Sequence, residues 1–213
     1  LRPEELDEAL LRGSKFLHFG SLSLTQEPCR SATVRAVELA RSGGAVISYD
    51  PNYRLPLWES ETQALEMMRL GLRLADIVKV SQEEAQLLTG QENPDRAAAA
   101  LRELGPRVIF ITGGASGCFC YTEAARACVP GFRVEAVDTT GAGDTFQGTM
   151  LYQLRDLSLE EIAAMDVARL TRCATVANAA AAITTTKLGA ISAMPNKATL
   201  NAFLTAHGEQ PLE

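Results

Sequence analysis

Asp138 and Asp144 stand at the two ends of the run DTTGAGD, with Gly141 and Gly143 between them. Glycines lack a Cβ, so main-chain N–H groups beside them stay open to close approach, and such groups at a helix start attract phosphate. A carboxylate next to a phosphate is repulsive unless it has chemical work, and taking a proton from an attacking hydroxyl is such work for Asp144. The same residues also read as a plain helix start with an acidic first turn, favourable to the helix dipole. Three further stretches hold residues of interest. ITGGASG at 111–117 has the composition of a Gly-rich hairpin turn. Ser81 precedes Glu84 by three residues, the spacing of a capping box. SYDPNYR at 48–54 joins Asp-Pro-Asn turn chemistry to Asn52 and Arg54, arginine being suited to oxygen anions.

The elements that must position these residues alternate between strand and helix patterns. KFLHFG (15–20), AVISYD (45–50), DIVKV (76–80) and RVIFIT (107–112) read as strands, and CFCYT as the hairpin partner of the last. FRVEAV alternates as a further strand that hands over to a helix at the DTTGAGD run. Helices are expected from Pro28 to a stop at Gly43 or Gly44, from about Thr62 to Leu74, from Glu83 to Leu88, and over DRAAAALREL. A long helix is expected from near Leu159, with Val167, Leu170, Ala174, Ala177 and Ala181 forming a narrow stripe of mostly small residues. Such alternation implies an α/β fold with a mostly parallel sheet covered on both faces. Ligands then bind beyond the carboxyl ends of the strands, where these features fall.

Composition limits the partners. The 213 residues carry a formal net charge of −6, which argues against a nucleic-acid footprint. Five cysteines without a C-x-x-C pair, and only two histidines, favour neither a disulfide framework nor a zinc site. No apolar run approaches the roughly 20 residues that span a bilayer, so a soluble, cytoplasmic protein without a membrane partner is expected. Walker and protein-kinase catalytic motifs are absent from the sequence.

DTTGAGDTFQG resembles the D-T-x-G-A-G-D signature of the ribokinase-like, phosphofructokinase-B type carbohydrate kinases. The resemblance implies an anion hole at Gly141, Ala142 and Gly143 and a base at Asp144 that deprotonates the sugar hydroxyl. It implies that Asp138 and Thr140 help bind a monovalent cation such as K+. ITGGASG resembles the family's T-x-G-x-x-G turn, placing Thr112, Gly114 and Gly117 along ATP. VKVSQEE resembles its N-x-x-E segment, with Ser81 where asparagine is usual and Glu84 helping to organise Mg2+ and phosphate; capping and ligation are compatible. NAAAAITTTKLGAISAMP resembles the segment that walls the adenine and completes the cation site. There Asn178 would face the purine, or read as a solvated or locally capped helix residue. Carbonyls near Thr184, Lys187 and Gly189 would face the cation, while Ala193 stands where some members carry a hydroxyl.

SYDPNYRLPLW resembles the fructokinase branch, which implies fructose as the sugar and gives Asn52 and Arg54 a place on the phosphate path or substrate. Trp58 reads as packing. The implied fold is a three-layer αβα sandwich, with residues 1–213 as the C-terminal portion of one kinase domain. The N-terminal part and its β-sheet lid, which supply most sugar contacts and often a homodimer, are expected to lie outside this chain. Two rivals stand beside this reading. One is a non-catalytic nucleotide-binding relative. The other is a phosphatase with Asp138 as nucleophile, against which Ala142 occupies the position where D-x-T-G-T needs threonine.

Overall fold

The structure is a computed structural model that describes residues 1–212. Its strands are β1 (Phe16–Gly20), β2 (Val46–Asp50), β3 (Ile77–Ser81), β4 (Val108–Thr112), β5 (Cys118–Tyr121) and β6 (Arg126–Val129). Its helices are α1 (Glu8–Arg12), α2 (Cys29–Ser42), α3 (Glu61–Leu74), α4 (Gln82–Thr89), α5 (Pro94–Glu103), α6 (Ala142–Leu154), α7 (Leu159–Ala163), α8 (Val167–Thr185) and α9 (Lys197–Ala206). The strands follow the order β1-β2-β3-β4-β5-β6 in a mixed sheet with helices on both sides, an α/β fold. The described residues form two compact units, one of Leu1–Ile111, Tyr121–Glu123 and Leu157–Ala163, the other of Thr112–Cys120, Ala124–Asp156 and 164–212.

In the first unit β1 and β2 run parallel, Phe16 opposite Val46 through Gly20 opposite Asp50, and β2 pairs parallel with β3. Ile47, Tyr49, Ile77, Val78, Val80 and Phe110 are buried. Each large apolar side chain so buried stabilises by about 1.5–3 kcal/mol. Trp58 is buried as well, as packing requires. Helix boundaries follow local chemistry. Ser60 accepts the Gln63 N–H to start α3, and Asn93 accepts those of Asp95 and Arg96, with Pro94 as first residue, to start α5. At the end of α2 it is Gly44, at φ 89, and not Gly43 that takes the left-handed conformation.

In the second unit α8 is buried along much of its length, and Val176, Ala180 and Ile183 pack with Leu200 and Leu204 of α9. Two expectations fail here. The helix from Leu159 is interrupted: α7 ends at Ala163, and Asp166 opens α8 by accepting the Arg169 N–H at 2.8 Å. Val167 accordingly leaves the small-residue stripe and is exposed. FRVEAV is not a strand. The N–H groups of Val137 and Asp138 donate to the Thr185 carbonyl at the end of α8, and the apolar alternation serves a cavity wall. The strand that does form is β6, four residues long and alternately exposed and buried. Among the described residues no helix is long and apolar enough to cross a membrane.

Candidate active site

Helix α6 begins without a side-chain cap. Gly141 precedes it at φ 80, a left-handed conformation natural to glycine. Within the first turn, the Ala142 N–H donates to Thr139 O at 3.2 Å and the Thr145 N–H to Gly141 O at 2.8 Å. The N–H groups of Gly141, Gly143 and Asp144 have no acceptor among the described residues. Asp144 lies in this turn, exposed, and its carboxylate has no partner there either. Free donors aligned with the positive end of a helix dipole suit an anion.

A cavity of about 520 Å³ opens beside this helix start within the second unit. Thr139, Ala142 and Gly143 of this helix start line it, together with the apolar Phe132, Val134 and Ala182. Thr112, Gly114 and Gly117 line it too. The loop they form is closed by Gly113 N–H to Gly117 O at 2.8 Å. Gly117 sits at φ 97 with its α-carbon against the Val129 carbonyl, so a Cβ there would collide with backbone. Asn178 also lines the cavity, and its Nδ2 donates to Val129 O at 3.2 Å and Pro130 O at 3.1 Å. The side chain is therefore neither solvated nor a local cap. With both amide hydrogens engaged, Oδ1 is left to accept.

Asp138 is fixed in a separate cluster. Its Oδ1 accepts the Thr140 N–H at 2.9 Å and its Oδ2 the Gly189 N–H at 3.0 Å. The Thr140 hydroxyl and amide, then the Gly189 amide, hold its carboxyl below the ordinary aspartate value. Of the five residues expected around a cation, the fold thus joins Asp138, Thr140 and Gly189. The Thr184 side chain is buried between helices, its Oγ1 3.0 Å from Thr145 Oγ1 and from Ala180 O, and Lys187 is exposed. No cluster of three His, Cys, Asp or Glu side chains able to hold a metal occurs among the described residues.

The first unit holds the other expected residues in a network of its own. Ser81 Oγ accepts the Glu84 N–H at 3.1 Å, and Glu84 Oε2 accepts the Ser81 N–H at 2.8 Å, a complete capping box. Glu84 Oε1 accepts the Tyr53 N–H at 2.8 Å, fastening the turn after β2. Asp50 Oδ1 accepts the Asn52 N–H at 3.0 Å, and Asn52 adopts φ 46. Arg54 is exposed and donates to Tyr53 O at 2.8 Å. Beneath the turn, Lys79 Nζ and Asp50 Oδ2 form a buried ion pair at 2.6 Å. Sequence reasoning passed over Asp50 and Lys79, and also the wall residue Phe132. A lysine inside the apolar run DIVKV was the available signal, since a buried ammonium needs a partner.

The pfkB family carbohydrate kinase profile matches residues 1–197. Probable fructokinase-4 of Arabidopsis thaliana is 43% identical over 205 residues, which are 96% of this chain and 62% of that protein. Fructokinase from Vibrio cholerae O395, solved with fructose, ADP and calcium ion bound, has a TM-score of 0.80 and 34% identity, covering 90% of this chain and 61% of its own. Aminoimidazole riboside kinase from Salmonella enterica, complexed with aminoimidazole riboside and an ATP analog, has a TM-score of 0.83 and 33% identity, covering 96% and 66%. The chain spans about three-fifths of the length of the curated relatives it matches.

Proposed function

The chain belongs to the pfkB family of carbohydrate kinases, and from that premise we propose that the protein phosphorylates a sugar hydroxyl with ATP, fructose becoming fructose 6-phosphate. The observation that carries this reading is the uncapped start of α6, with free amides and Asp144 in one turn beside a cavity of nucleotide size. ATP with Mg2+ supplies the transferable phosphoryl group and spreads its charge. The residues present suit that pair: a helix start with open donors and apolar side chains line the same cavity.

In this reading the Gly141–Gly143 backbone holds the transferring group, the open donors being the amides of Gly141, Gly143 and Asp144. Asp144 takes the proton of the attacking hydroxyl. Thr112, Gly114 and Gly117 lie along the nucleotide. Asn178 offers Oδ1 to the exocyclic amine of adenine, a preference for ATP over GTP. Ser81 and Glu84 face Mg2+ and phosphate, Asn52 and Arg54 the phosphate path or sugar, and Asp138 and Thr140, with backbone carbonyls near Thr184, Lys187 and Gly189, face a monovalent cation such as K+. Positioning and electrostatic stabilisation do most of the catalysis, as in other phosphoryl transfers. The expected partner is a small sugar, with a cytoplasmic location and a homodimer formed through the lid.

A riboside acceptor is the second reading, favoured by the likeness to aminoimidazole riboside kinase. Coupled ADP release by the full-length protein tests both, with fructose, ribose, 2-keto-3-deoxygluconate, fructose 6-phosphate and nucleosides offered in turn. Fructose-dependent turnover is expected. Turnover with ribose or a nucleoside alone would keep the mechanism and move the substrate. ATP binding without turnover on any acceptor would make the non-catalytic reading the better one.

A further inference from the structure

Phe132, in the wall of the cavity, does not stand by itself. Phe203 of α9 meets its ring edge-on, centroids 5.2 Å apart at 71°, and His207 does the same at 5.2 Å and 83°. Phe203 and His207 are themselves stacked, 4.1 Å apart at 30°. The histidine's backbone N–H donates to Phe203 O and Leu204 O, and its ring is held by Nδ1, 2.8 Å from Phe203 O. Phe203 in turn packs on the buried cluster of Val176, Ile183 and Leu200. Edge-to-face contacts of this kind fix the orientation of a ring as well as its place. An exposed histidine at the end of the helix, outside the cavity lining, thus bears on the cavity wall.

We propose that Phe203 and His207 are positioning residues for the nucleotide: they hold the Phe132 ring as a flat wall against which a planar heteroaromatic base packs. The proposal rests on the nucleotide reading of the cavity given above. It makes α9 a determinant of affinity for the base and leaves the phosphate-binding groups untouched.

The test uses the full-length protein with His207→Ala, His207→Phe and Phe203→Leu, measuring ADP binding by calorimetry, steady-state kinetics, and inhibition by tripolyphosphate, which has no base. His207→Ala and Phe203→Leu should raise the ADP Kd and the ATP KM by about 3- to 10-fold, the range of a lost aromatic contact. At saturating ATP, kcat, the sugar KM and tripolyphosphate inhibition should match the parent, and His207→Phe should restore nucleotide affinity. An unchanged ADP Kd in folded His207→Ala would overturn the proposal. So would an equal loss for tripolyphosphate, which would place the disturbance at the anion end. A parent protein that binds neither nucleotide nor tripolyphosphate would overturn the kinase reading, and this proposal with it.

Discussion

Helices α4 and α6 both begin where a functional residue was expected, yet their first turns are built in opposite ways. At α4 the donors are answered: Ser81 and Glu84 satisfy each other's amides, and Glu84 also holds the Tyr53 amide. Below it Lys79 and Asp50 neutralise each other in the interior. At α6 three amides and the Asp144 carboxylate are left without partners among the described residues. The first region spends its polar groups on its own structure; the second holds them open for something else. Substitutions in the first should therefore cost stability, and those in the second should cost binding or turnover.

The largest expected effect on stability is Lys79→Met, which strands the Asp50 carboxylate in the interior. A broken buried pair costs about 3–5 kcal/mol, read as a lower denaturant midpoint with nucleotide affinity retained in the folded fraction. A variant as stable as the parent would remove the contrast at its strongest point. Next is Gly141→Ala, which puts a Cβ at φ 80 and 3.1 Å from the Ala190 Cβ. Strain of about 1–3 kcal/mol is expected, together with weaker nucleotide binding, because the open amides turn with it. Ser81→Ala should cost about 1 kcal/mol, the worth of an N-cap, measurable by thermal denaturation.

The smallest effect concerns pH. The folded pKa of Asp138 lies below its unfolded value, so the native state favours the ionised form. Its contribution is present above the unfolded pKa and is lost as pH falls through the lower folded pKa. Asp138→Asn should flatten the acid side of the stability profile slightly, and an unchanged profile would show that the Thr140 and Gly189 contacts do not hold in solution.

The alternation of apolar runs made β1 to β4 and their helices legible, because buried parallel strands leave continuous Val/Ile runs that helical periodicity does not produce. Gly141 and Gly143 and the S-x-x-E spacing at 81–84 were legible for a similar reason: their chemistry is local. What could not be read was settled by distant partners. FRVEAV has strand-like alternation, but its last amide, that of Val137, reaches Thr185 at the end of α8, 48 residues on. Lys79 finds Asp50 across 29 residues, and Asn178 finds Val129 across 49. The break before α8 was nearer the surface of the sequence, since Asp166 is a good cap, but the helical stripe continued past it and masked the stop.

The central claim is that the open start of α6 is a catalytic site, and Asp144→Asn tests it most directly. Turnover and ATP binding would be measured together on the full-length protein. Loss of a general base predicts about a 10²–10⁴-fold lower kcat with the ATP Kd kept near that of the parent. Turnover at the parental rate would contradict the account.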